Sequence, residues 1–185
     1  MRAGQGGQSS VEFGLAAVVL LLLALGLTDL GRVFYFGVGL TGATREGARQ
    51  ASWFDSNAGN NPYLDDADIK TAVDGVLTKS GLPTSSLQNP GTTCPVTSDT
   101  NSQFNPPYTD DAYTPGAANQ PLLYICYDNT PGLDLSTAPS NNSYRGEDVN
   151  VILVMTFGFA TGFMSGVLGN SVHVAVNTHM VIGGF

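Results

Sequence analysis

The feature that most constrains this chain is an uncharged stretch of 16 residues, from Phe13 to Thr28, near the N-terminus. At its centre, four consecutive leucines follow Leu15-Ala-Ala-Val-Val. As an α-helix the stretch is about 24 Å long, slightly less than the ~30 Å hydrocarbon core of a bilayer. The aromatic residues of Val33-Phe-Tyr-Phe36 are of the kind found at membrane interfaces and extend the segment. The pattern therefore predicts a membrane-spanning helix.

Two alternatives to a retained span are a buried helix of a soluble protein and a removable secretory signal. Four leucines in a row this near the N-terminus make the buried helix the weaker interpretation. A secretory signal ends in a small-x-small cleavage site behind a basic region. Here no such site precedes Asp29, and Arg2 is the only basic residue before the apolar run. The sequence favours a retained membrane anchor.

The charge balance excludes a nucleic-acid binder that neutralises phosphates. The chain has 15 acidic and 7 basic residues, with a net charge of -8, whereas such a binder needs a basic face. From residue 55 onward there are twelve acidic and three basic residues. An acidic domain is therefore expected after the apolar segment.

No motif indicates catalysis, a cofactor or a metal, and we expect a non-enzyme. Gly37-Val-Gly-Leu-Thr-Gly42 satisfies G-x-G-x-x-G, but the dinucleotide motif requires a strand before it and a helix after it. Within a helical pattern, small residues instead allow helices to approach closely. Glycines along the same segment predict a bend or local melting. His173 and His179 lie six residues apart, about 20 Å along a strand, which is too far to share a metal.

The residues before the apolar run read Gly6-Gly-Gln-Ser-Ser-Val-Glu-Phe13. This segment resembles the type IV pilin leader of the short-leader, Flp-type branch, which a membrane peptidase cuts after glycine. The resemblance implies cleavage between Gly7 and Gln8. It also makes Glu12, followed by Phe13, the assembly residue at the fifth mature position.

The resemblance continues beyond the span. Asp29-Leu-Gly-Arg-Val-Phe-Tyr35 and Thr44-Arg-Glu-Gly-Ala-Arg-Gln-Ala51 are similar to segments of the TadE family of pilin-like proteins. The similarity covers residues 4 to 52. Its implied partners are a prepilin peptidase, other pilin-like subunits contacted through the N-terminal helix, and the inner membrane. In that family the glutamate pairs with the N-terminal amine of a neighbouring subunit.

Glu12 also has a purely structural interpretation. Ser9-x-x-Glu12 matches a capping box, in which Ser9 caps the helix and Glu12 returns a hydrogen bond to the cap. A carboxylate in the first turn also suits the helix dipole. The offset from Gly7 and the span that follows favour the assembly role, although the two roles are compatible.

The remainder predicts an α+β fold: the long N-terminal helix, a short helix and an antiparallel sheet of about three strands. The short helix begins at Asp65 or Asp66, runs to about Ser80 and stops at Gly81. Strands are expected at 122–127, a short β-rich run, and at 149–157 and 172–182, where apolar residues alternate. One face of the sheet is expected to be apolar, with the short helix as its cover.

Cys94 and Cys126 are the only cysteines. In an extracytoplasmic domain such a pair predicts a disulfide, which would close the loop-rich segment 88–143; two buried thiols are the alternative. The expected domains are a leader at 1–7, a membrane and assembly helix at 8–54, and an extracytoplasmic domain at 55–185.

The orientation depends on two conflicting signals. Counting Lys and Arg on each side of the span would place the C-terminal domain in the cytoplasm. The cysteine pair and the pilin-like leader, which must face a cytoplasmic-side peptidase, favour the opposite orientation. We expect a single-pass inner-membrane protein acting as a minor pilin or pseudopilin of a tight-adherence (Flp) pilus. The alternative is a signal-anchored surface protein whose ectodomain binds a ligand or the wall.

Overall fold

A computed structural model describes residues 5–54, 61, 65–88, 116–127 and 145–183. It confirms the α+β class. In chain order the elements are α1 (Gln5–Ser52), α2 (Asp66–Lys79), β1 (Ser86–Leu87), β2 (Leu122–Tyr127), β3 (Asp148–Gly158), α3 (Gly162–Leu168) and β4 (Ser171–Val181).

The strands of the described residues form one mixed sheet in the order β1-β2-β3-β4. The three expected strands are confirmed as β2, β3 and β4, which pair antiparallel. The fourth strand, β1, has two residues and pairs parallel to β2. A strand this short carries no alternating pattern, so the sequence did not reveal it.

The predicted short helix is confirmed as α2. Asp65 is its N-cap, and the Asp65 carboxylate accepts hydrogen bonds from the backbone N–H groups of Ala67 (3.0 Å) and Asp68 (3.2 Å). The helix ends at Lys79, and Gly81 follows with φ +70°. This left-handed conformation favours glycine and stops the helix.

The cover of the sheet differs from the expectation. The C-terminal half of α1 packs directly on β3 and β4, while α2 packs against α1. The apolar stripe of α2 still joins this core, since Ile69, Val73 and Leu77 are fully buried. The sequence identified the correct stripe but did not reveal that α1 would lie centrally between α2 and the sheet.

The sheet is also apolar on its second face, where one apolar face was expected. Ile152 and Val154 of β3 are fully buried there beside Tyr124 and Cys126 of β2. A strand buried on both sides reads as a continuous apolar run. Residues 151–155 of β3 form such a run, so the signal was present.

Candidate membrane and assembly helix

The first part of α1 extends away from the core as an apolar helix. We call residues 7–28 the arm. Its large apolar side chains are exposed, and Phe13 is 75% exposed. The exposed members are Val11, Phe13, Leu15, Val18, Val19, Leu20, Leu21, Leu23, Leu25 and Leu27.

Among the described residues, α1 is the helix long and apolar enough to cross a membrane. Its most apolar window has a mean hydropathy of 2.4 and is almost entirely exposed. A core helix of a soluble protein would bury most of such a window. The exposure of the arm therefore argues against the soluble-core alternative.

The residues around the expected cleavage position are helical. Gly7 has no neighbouring atom within 4 Å of the position that a Cβ would take. Five residues later, the Glu12 Oε1 atom accepts a hydrogen bond from the Gln8 side-chain amide at 3.1 Å. Glu12 and Gln8 thus lie one turn apart on the same side of the helix, beside the exposed Phe13 ring.

The capping-box interpretation of Ser9 and Glu12 is wrong for this chain. The helix begins at Gln5, which places Ser9 inside α1 rather than at its N-cap. The first turn contains no acidic residue. Glu12 therefore makes its hydrogen bond to a side chain within the helix and not to a cap.

The arm ends at a buried carboxylate, Asp29, which fixes α1 to the turn after β3. The two carboxylate oxygens accept hydrogen bonds from the backbone N–H groups of Ala160 (3.1 Å) and Thr161 (3.2 Å). The Thr161 hydroxyl donates a further hydrogen bond to Asp29. These donors supply the partners that a fully buried charge requires.

Arg32 completes this junction. Its Nη1 atom lies 3.6 Å from Asp29 Oδ1, which confirms the pairing that their spacing indicates. The guanidinium also lies 5.3 Å from the ring centroid of Phe157 and 5.8 Å from that of Phe36. Cation–π contacts of this kind stabilise a partly desolvated arginine. The Asp-x-Gly-Arg segment is therefore the helical connection between arm and domain.

Beyond the junction, glycines bring α1 and α2 close together. A Cβ on Gly39 would lie 2.9 Å from Ser80 Cβ, and one on Gly47 would lie 2.6 Å from Val73 Cγ2. The close-approach interpretation of the small residues is thus confirmed for Gly39 and Gly47. The expected local melting is wrong, because α1 is helical over all 48 residues.

Two polar interactions accompany this packing. The hydroxyls of Thr44 and Thr178 lie 3.0 Å apart and join α1 to β4 inside the protein. On the outer side of α1, Arg49 Nε donates a hydrogen bond to Glu46 at 2.9 Å. The Thr-Arg-Glu-Gly-Ala-Arg segment therefore combines a packing face with an ion-paired exposed face.

Helix α2 carries one buried carboxylate, Asp66, and one half-buried carboxylate, Asp74. Burial and the neighbouring Asp65 raise the pKa of Asp66 to about 7. Burial also opposes ionisation of Asp74, but hydrogen bonds from Lys70 and Ser85 outweigh it and lower the pKa of Asp74. Asp66 therefore changes charge near neutral pH and Asp74 does not.

The remaining sequence candidates lie apart from the arm. His179 Nδ1 is 3.9 Å from Asp148 Oδ2, and His173 lies on the same face of β4. Within the described ranges, no group of three or more His, Cys, Asp or Glu side chains could hold a metal. Cys126 is buried in β2, whereas Cys94 lies outside the described residues. The disulfide stays a prediction, which peptide mapping under non-reducing conditions tests.

Comparison with known proteins agrees with the resemblance in the N-terminal segment. Residues 7–49 match the model of a protein family described as TadE-like protein. This segment contains the arm, the Asp29–Arg32 junction and the glycines that contact α2. No match was found among curated proteins or among solved structures.

Proposed function

We propose that this chain is a pilin-like structural subunit, a minor pilin or pseudopilin, of a bacterial tight-adherence (Flp) pilus. The observation that carries the proposal is the exposed apolar arm, which is continuous with a helix half that packs into the domain. The family match over residues 7–49 supports it, because that segment contains both helix halves.

The arm requires an apolar environment. Fully burying one Leu or Phe side chain contributes about 1.5–3 kcal/mol, and the arm exposes a row of them to solvent. It cannot fold back on its own domain, because Asp29 holds the junction. Lipid or the arms of other subunits can cover it, so the same helix serves first as a membrane anchor and then as an assembly element.

The surface beyond the arm supports assembly through helix packing. An open groove of about 620 Å³ runs between α1 and β4, with an apolar lining that includes Val33, Val174 and Val176. Exposed Phe34 and Val38 border it on α1. A helix of a neighbouring subunit therefore finds an apolar surface that continues from the arm into the domain.

In this proposal a prepilin peptidase cleaves between Gly7 and Gln8, and Gly7→Leu blocks processing because a site shaped for glycine excludes a branched side chain. Gly14→Leu is the matched control, since neither glycine has a neighbouring atom within 4 Å. The N-terminal residue, determined by mass spectrometry after expression with the peptidase, distinguishes the variants. A mature protein that starts at Met1 in its own host overturns the proposal.

Glu12 is proposed to pair with the N-terminal amine of a neighbouring subunit. Glu12→Ala then permits cleavage but stops assembly, because an unpaired charge in apolar surroundings costs several kcal/mol. Glu12→Gln separates charge from hydrogen bonding, because the amide retains an acceptor for Gln8. Ser9→Ala is the control. If Ser9→Ala and Glu12→Ala are equally defective in pilus assembly, Glu12 has no special role.

The proposed location is the inner membrane, with the domain outside the cytoplasm. A reporter fused after Phe185 that is active only in the periplasm tests this orientation. A reporter that is active in the cytoplasm contradicts this orientation and, with it, the proposed role in pilus assembly. A chain that stays uncut in its host while its ectodomain binds wall material would instead be a signal-anchored surface protein.

A further inference from the structure

We propose that α3 and the connection between β3 and β4 form a second membrane contact, which lies in the bilayer interface beside the arm. This inference rests on the proposed insertion of the arm. It names lipid as the partner of a surface that lies outside the family match. Residues 159–170 lie outside the matched segment 7–49.

The position of α3 along α1 is the first argument. Asp29 accepts hydrogen bonds from Ala160 and Thr161, and α3 begins at Gly162, directly after its N-cap Thr161. Helix α3 also packs against α1. The connection between β3 and β4 is therefore held at the level where the uncharged run ends at Thr28.

The domain also reaches past Asp29 along the arm. Gly26 is buried and Leu22 is half-buried, although most of the arm is exposed. Leu22, Gly26 and Asp29 follow one another at helical spacing and share a face. A hydrocarbon core of ~30 Å takes about 20 helical residues, so a span that starts at Phe13 ends near Arg32, about one turn beyond Asp29.

The chemistry of the connection is the second argument. Residues 159–170 contain no charged side chain, in a chain that is acidic after residue 55. Leu168 of α3 is 51% exposed, an apolar side chain that nothing among the described residues fully covers. An uncharged segment with an exposed leucine, attached near the end of the span, can bury apolar surface in the bilayer interface without desolvating a charged side chain.

The contact also explains why Asp29 is fully hydrogen-bonded. A carboxylate near the hydrocarbon edge is costly unless it is paired. The turn before α3 supplies two backbone N–H groups and a hydroxyl to this carboxylate. The connection therefore brings its own apolar surface to the membrane and supplies the hydrogen bonds that the Asp29 carboxylate requires.

Tryptophan quenching tests the contact in the full chain. In a Trp53→Phe background, single tryptophans are placed at Leu168, at Val181 and at Leu20, and the protein is reconstituted into phosphatidylcholine vesicles with brominated acyl chains. Val181 is the matched control, because it is 57% exposed and lies at the opposite end of β4 from α3. Leu20→Trp reports insertion of the arm. Gly166, which is open in α3, accepts a second probe if Leu168→Trp does not fold.

We expect the brominated lipid to quench Leu168→Trp about threefold more than Val181→Trp, as for an interfacial segment. Aqueous acrylamide should quench the two in the reverse order. Strong quenching of Leu20→Trp with equal, weak quenching of the other two overturns the lipid contact and leaves the proposed function standing; α3 would then face water or a protein. If Leu20→Trp is not quenched, the arm is not inserted and both proposals fail.

Discussion

The two halves of α1 are one continuous helix with opposite surfaces. The arm carries large exposed side chains, such as Phe13 and Leu20. The half of α1 after Arg32, which we call the packed half, buries small ones, such as Ala43, Ala48 and Ala51. Large apolar side chains are favourable in lipid, because fluid acyl chains adapt to the shape of the helix surface. Small ones allow the close approach of α2 and the sheet, where protein atoms must interlock.

The boundary between the halves is a polar junction within a continuous helix. Asp29 ties the helix to the turn after β3, and Arg32 lies over the Phe157 ring. The comparison of the two halves therefore teaches that one helix can present two different surfaces when the carboxylate that interrupts it is buried and hydrogen-bonded by the domain.

Removal of Asp29 should have the largest effect on this arrangement. Asp29→Ala leaves two backbone N–H groups and a hydroxyl without their acceptor, and we expect a loss of about 4 kcal/mol of domain stability. Hydrogen exchange should accelerate at the amides of Ala160 and Thr161. Thr28→Ala is the control, because this exposed hydroxyl bonds only within the helix. Equal stability of both variants in detergent would contradict the junction.

The next largest effect is expected from alanine substitutions, which should lower stability in the packed half but not in the arm. Gly47→Ala places a Cβ 2.6 Å from Val73 and 3.1 Å from Val151, and such overpacking costs about 2–3 kcal/mol. Gly14→Ala meets no atom within 4 Å and should leave thermal unfolding of the domain unchanged. Circular dichroism of the full chain in detergent measures both. A tolerated Gly47→Ala would show that the buried half is loosely packed.

The elements with local patterns could be predicted from the sequence. The alternating residues of β3 and β4 and the Asp65 cap of α2 each depend on neighbours within a few positions. The uncharged run likewise identified the arm. These features are determined by periodicity and capping, which a single sequence displays directly.

The parts that escaped prediction depend on distant residues. The acceptor role of Asp29 involves Ala160 and Thr161, which lie 131 and 132 positions away. The close approach of Gly47 to Val151 involves a residue of β3. A glycine in the sequence does not indicate which element will pack against it. The second buried face of β3 could have been found, since its apolar run is continuous.

The pH dependence of stability should distinguish the domain from the arm. The pKa of Asp66 is raised to about 7 in the folded protein. The contribution of Asp66 to the free energy of unfolding is therefore fully present at pH values below its unfolded pKa near 3.8. This stability is lost as the pH rises through about 7, at a cost of about 2 kcal/mol between mildly acidic and mildly basic solution. Asp66→Asn should remove this slope in unfolding of the full chain.

Asp68→Asn is the control for this measurement, because Asp68 is exposed on the same helix. The two histidines are present in all three proteins, so comparison with the unmodified chain removes their contribution to the pH dependence of unfolding. Membrane insertion of the arm should be equal at both ends of the pH range. If the slope persists in Asp66→Asn, Asp66 ionises freely in the folded protein.

The smallest effect is expected on the exposed face of the packed half. Glu46 and Arg49 form an ion pair one turn apart, and exposed pairs of this kind contribute at most about 0.5 kcal/mol. Glu46→Gln should therefore leave the unfolding midpoint nearly unchanged, whereas Gly47→Ala at the next position should lower it. If pilus assembly nevertheless fails in Glu46→Gln, the pair acts between subunits. A large loss of stability in Glu46→Gln would mean instead that charge, and not the small residues, holds the packed half in place.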